Sequence, residues 1–122
     1  MFHRVYYRRF RVTPTEARRI RIDPEALASR LPKICEKFES AAADYRAQPQ
    51  NEAVVRDFVQ AVCALCVCIF GEKMTRRILD GWRQNYVGLA AEVSNFCLYG
   101  LAPVLRRHAG RITRRGRKGR LL

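Results

Sequence analysis

Residues 51–71 read Asn-Glu-Ala-Val-Val-Arg-Asp-Phe-Val-Gln-Ala-Val-Cys-Ala-Leu-Cys-Val-Cys-Ile-Phe-Gly. Apolar side chains at 54, 55, 58, 59, 62, 65, 66, 69 and 70 recur at steps of three and four, the period of a helix face and not of a strand. Asn51 supplies a side-chain acceptor for the first helical N–H groups. Gly71 suits the left-handed position that ends helices. Residues 61–70 carry no charge, which predicts a helix buried on most sides. That run is shorter than the roughly 20 apolar residues a membrane helix needs, so no membrane partner is expected.

Working outward toward the C-terminus, residues 72–80 predict a short third helix with Met74, Ile78 and Leu79 inward and Gly81 as its stop. Asn85 caps a fourth, which turns Tyr86, Leu89, Val93, Phe96, Cys97, Leu101 and Val104 to the core, while Gly100 and Pro103 weaken its end. Toward the N-terminus, Asp23-Pro24-Glu25 combines an N-cap acceptor, a proline at the first helical position and an acid at the positive end of the dipole. The stripe Leu27, Leu31, Ile34, Phe38, Ala42, Tyr45 follows, with a break expected near Leu31 because Pro32 interrupts it. Residues 2–12 interleave Val, Tyr and Phe with Arg, and Arg19-Ile20-Arg21-Ile22 alternates strictly. Together they predict a hairpin that turns near Pro14, with one apolar face and one Arg face. The fold class expected is mainly α: a compact bundle of about four helices with a short N-terminal β-like segment and a basic, flexible C-terminal tail.

The 122 residues suit one domain, and a 48% apolar content is not that of a disordered chain. The net charge of +13 is unevenly spread. Residues 1–22 carry +6, residues 105–122 carry +8, and the intervening segment carries −1. This divides the chain into a basic arm or hairpin (1–22), a helical domain (23–105) and a basic tail (106–122). The candidate contacts to a polyanion or partner are Arg4, Arg8, Arg9 and Arg11 in the first arm. In the second they are Arg106, Arg107, Arg111, Arg114, Arg115, Arg117, Lys118 and Arg120. A guanidinium fork grips phosphate or carboxylate in two places at once. A base composition that favours Arg codons would enrich Arg without any such contact.

Candidate catalytic and cofactor groups are scarce. Cys63, Cys66 and Cys68 lack a second ligand pair, since Cys35, Cys97, His3 and His108 are scattered singly. No glycine-rich phosphate loop or nucleophile-elbow pattern is present, so neither enzyme chemistry, cofactor nor metal is expected. Five cysteines and charges within the first nine residues predict a reducing cytoplasm and no secretory leader.

The stretch Asp57-Phe58-Val59 through Ile69-Phe70-Gly71-Glu72-Lys73-Met74-Thr75-Arg76-Arg77-Ile78-Leu79, followed by Asn85-Tyr86 and a last helix, resembles the small tail-assembly proteins of long-tailed bacteriophages. The similarity covers residues 24–98. It implies a tail-assembly chaperone in the bacterial host cytoplasm, which coats a long, apolar, helical tape-measure-like protein. For Phe70, Gly71, Glu72, Ile78, Asn85 and Tyr86 it implies structural roles in turns and caps. The basic tail departs from the family pattern by its length and charge. A second reading therefore stands beside it: a nucleic-acid-binding or nucleoprotein-inhibiting protein that acts through its Arg arms. A third is a ribosome-associated basic protein. The sequence leaves the oligomeric state open.

Overall fold

The computed structural model describes residues 5–110. A hairpin of β1 (Tyr6–Thr13) and β2 (Glu16–Ile22) precedes α1 (Pro24–Ala28), α2 (Leu31–Ala47) and α3 (Glu52–Gly81). A last helix, α4 (Tyr86–Gly110), contains a π-helical stretch, Phe96–Leu101. The fold is the mainly helical one expected, with its β segment at the N-terminus.

The helix starts follow the residues that predict them. Asp23 accepts from the N–H groups of Glu25 and Ala26, Asn51 from those of Ala53 and Val54, and Asn85 from that of Gly88. Pro32 sits in the first turn of α2, where a missing N–H costs nothing, so the break falls at Ser29 and Arg30. In the hairpin turn, Thr13 Oγ1 accepts from the N–H of Thr15 at 3.2 Å and of Glu16 at 2.9 Å.

Alternation sorts the hairpin into two faces. Phe10, Val12, Ile20 and Ile22 are buried and join the helix core. Phe10 meets Phe70 of α3 at 4.5 Å between ring centroids and Phe96 of α4 at 5.2 Å, and Phe70 and Phe96 lie 5.6 Å apart. Such ring pairs contribute about 0.5–1.5 kcal/mol each beyond their buried area. A second clasp comes from Trp82, whose indole N–H donates to the Arg11 carbonyl at 3.0 Å. Gly81 packs so tightly on β1 that a Cβ there would lie 2.7 Å from the Val12 carbonyl oxygen.

Several expectations change. Gly71 has the positive φ expected, at 82°, and divides α3 into two helical arms, but its ψ of 165° is extended where a left-handed cap would be helical. The extended ψ is that of a residue opening a new helical arm, and the positive φ with that ψ is accessible essentially to glycine alone. Gly81 is required by close approach, and the turn after it is made by Arg83 and Gln84, both at positive φ. Residues 61–70 are buried on one face only, through Val62, Leu65, Cys66 and Ile69, and Val67 is exposed. Though residues 61–70 alone are short, α3 and α4 are each long and apolar enough to cross a membrane. Finally, the helix continues past 105 to Gly110, so Arg106 and Arg107 lie on helical turns and not in a tail.

The π stretch has a local cause. Pro103 has no N–H to give the Tyr99 carbonyl, and its ring would strike that oxygen in an α-helix. The wider turn relieves the clash, and the N–H of Ala102 reaches back five residues to Cys97.

Two substitutions test this account by urea unfolding. Gly71→Val should destabilise by about 1–3 kcal/mol, although no atom lies within 4 Å of the added Cβ. An unchanged midpoint would mean that the kink is not held at positive φ. Thr75 is buried and its hydroxyl has no hydrogen-bond partner among the described residues. Thr75→Val should therefore be neutral or stabilise by up to about 1 kcal/mol; a large loss would reveal a hidden partner.

Candidate functional site

The short connection between α2 and α3 folds one helix back on the other, and α4 crosses beside them. Where the three diverge they leave an apolar groove of about 480 Å3. Phe38 and Ala42 of α2, Phe58 and Leu65 of α3 and Ala90 of α4 line it, with Tyr45 stacked on Phe58 at 4.5 Å. Along α4, Val87, Ala91, Ser94 and Leu98 line the groove at helical steps of four, three and four. Val87 is 56% exposed and Leu98 is 61% exposed, so this stripe is apolar yet uncovered. Glu39 and Arg46 give the groove a charged margin on α2.

Cys35 of α2 and Cys97 of α4 also line the groove. The neighbouring Cys97 thiol holds Cys35 below the ordinary thiol value. The same interaction, with burial, pushes Cys97 up. Burial pushes the Cys66 thiol up to about 12, with neighbouring Cys63 adding to the shift. A low-shifted thiol forms its thiolate at lower pH, and the thiolate is the nucleophile. Among the described residues no three His, Cys, Asp or Glu side chains converge as metal ligands.

The second surface is the outer face of the hairpin. Register places Tyr7 opposite Arg21, Arg9 opposite Arg19 and Arg11 opposite Ala17. All six are exposed, and the Arg19 guanidinium lies 4.7 Å from the centre of the Tyr7 ring. Beside β1, Arg9, Arg11 and Thr15 share an open concavity with Glu92 of α4.

Of the sequence candidates, Arg9 and Arg11 lie on this face, whereas Arg8 does not. Arg8 is half-buried on the opposite face, where it donates to the Tyr7 carbonyl at 2.8 Å. Arg106 and Arg107 are exposed on α4, beyond the π stretch that packs on β1. Arg4, Arg111, Arg114, Arg115, Arg117, Lys118 and Arg120 lie outside the described residues. Phe70 is a core ring, Glu72 is exposed beside the kink, and Tyr86 follows the Asn85 cap. Sequence reasoning missed Arg19 and Arg21 as site residues, though their alternation marks them as outward. It also missed the α4 stripe, whose spacing was readable as a second face beside the core one.

With iodoacetamide at rising pH, Cys35 should be alkylated first among the described thiols, with a midpoint below the ordinary value of 9.0. Cys66 and Cys97 should resist until the chain unfolds. Faster modification of Cys97 than of Cys35 would reverse the assignment.

No protein-family model, no curated protein and no solved structure matches the chain.

Proposed function

We infer that the chain is a non-catalytic, helical protein-binding module that receives an amphipathic helix in the groove between α2, α3 and α4. The observation that carries this reading is the uncovered apolar stripe Val87, Ala91, Leu98 beside a groove floored by Phe38, Phe58 and Leu65. A partner helix docks by inserting side chains at i, i+3, i+4 and i+7 into such a groove. Burying one Leu-sized side chain there contributes about 1.5–3 kcal/mol, so a few anchors give useful affinity without charge pairing.

In its finer form the proposal is a tail-assembly chaperone in a bacterial host cytoplasm, which covers a long, helical tape-measure-like protein until tail-tube subunits replace it. Its support is the resemblance of residues 24–98 and the fit between such a partner and an apolar groove. A protein-facing groove agrees with α3 better than a membrane does. Arg56 and Asp57 near its start and Glu72, Lys73, Arg76, Arg77 and Asp80 in its second arm leave only residues 58–71 uncharged, short of the roughly 20 residues of a membrane span.

The test is co-expression with a long helical tape-measure-type protein, followed by co-purification in low and high salt. The wild type should keep the partner soluble in both, because apolar contact drives the association. Leu98→Asp and Val87→Asp should each weaken binding about 10–100-fold while leaving the thermal midpoint within a degree or two, since both side chains are exposed. Binding that persists in both variants, or that disappears in high salt, would remove the groove from the account.

A further inference from the structure

We propose that the outer face of the β1–β2 hairpin is a sequence-independent nucleic-acid-binding surface that grips the phosphodiester backbone, separate from the groove of α2, α3 and α4. The face is built from Tyr7, Arg9, Arg11, Ala17, Arg19 and Arg21, all exposed. Among the described residues, no carboxylate pairs with any of its four guanidinium groups; Glu16, the nearest in sequence, pairs with Arg18 at 3.1 Å.

The arrangement works against the stability of the hairpin. Arg9 stands directly opposite Arg19, and like charges so placed repel. Charges that only guarded an edge from other strands would not need to face one another. An external polyanion removes the repulsion and turns the same arrangement into a preorganised cradle. Side chains on one face of a strand repeat every roughly 7 Å, a spacing comparable with that of successive phosphates along one nucleic-acid strand. Guanidinium forks grip phosphate oxygens in pairs.

Tyr7 separates nucleic acid from other polyanions. It is 48% exposed on the same face, and Arg19 holds its ring from one side at 4.7 Å. An aromatic ring fixed among guanidinium groups is a stacking platform for an unpaired base. A two-stranded ribbon also fits the major groove of a duplex. The two strands present no Asn, Gln or acidic side chain on this face to read base edges; Glu92 of α4 borders only its Arg9–Arg11 end, so discrimination between sequences is not expected.

The experiment uses the full chain, because other basic residues also attract polyanions. Binding of a labelled 20-nucleotide DNA strand and of the 20-base-pair duplex is followed by anisotropy across a salt series. The wild type is compared with a variant carrying Arg9→Gln, Arg11→Gln, Arg19→Gln and Arg21→Gln. The variant should lose affinity at least tenfold, and its slope of log affinity against log salt should fall by about 0.7–0.9 for each Arg that contacts phosphate. Its thermal midpoint should equal or exceed that of the wild type, since the Arg9–Arg19 repulsion is gone. Tyr7→Ala should weaken the single strand more than the duplex if the ring stacks a base. Equal affinity and slope in the fourfold variant and the wild type would overturn the proposal. So would a fourfold variant that loses binding to anionic phospholipid vesicles but not to DNA. Neither result bears on the groove, whose variants leave the hairpin untouched.

Discussion

Three phenylalanine rings hold the molecule together at the place where its backbone is least regular. Phe10 comes from the hairpin, Phe70 immediately precedes the kink at Gly71, and Phe96 opens the π stretch. A two-stranded ribbon is marginal by itself in water. It persists here because its apolar face closes over the two irregular points and adds Phe10, Val12, Ile20 and Ile22 to the helix core. The kink in turn lets the second arm of α3 run back past β1, which brings Trp82 to the Arg11 carbonyl and Gly81 against Val12. With β1 held from Phe10 to Val12, the direction of its outward Arg side chains is set as well.

Much of this was legible in the chain because the signals were local. Caps at Asp23, Asn51 and Asn85 each act over three or four residues, and the Arg alternation in β2 follows directly from strand pleating. The burial of α3 was not legible. An all-apolar stretch states that a helix tolerates burial all round, but which sides are covered depends on how many neighbours the rest of a short chain supplies. Here α2 covers one side, and Val67 stays exposed. The reason for Gly81 was hidden likewise: it stops a helix as expected, but what forbids a side chain there is its close approach to β1. Glycine marks a backbone need, and only the fold distinguishes a positive φ from a close approach.

The two candidate surfaces are carried by different parts of the chain and rest on different physics. The groove belongs to helices, is apolar and is insensitive to ions. The hairpin face is cationic and answers to ionic strength. The join between them is β1 packed on the π stretch of α4, so the helix that forms one wall of the groove is also the helix that supports the basic ribbon. Cys35 of α2 and Cys97 of α4 both face the groove.

The π stretch also bears on how such a chain changes over generations. Phe96 and Leu101 are both buried although five positions separate them, and Tyr99, between them, is 77% exposed. A π turn is an α-helix that has taken in one residue. Removal of a residue at that exposed point, together with replacement of Pro103, would return the helix to ordinary pitch with Phe96 and Leu101 still inward. A single-residue gap in the middle of a helix, which elsewhere rotates every following side chain by about 100°, would then leave the register of the core nearly unchanged. The length of this helix is therefore tied to Pro103: a chain without that proline could hold one residue fewer between 96 and 101 and keep the same core.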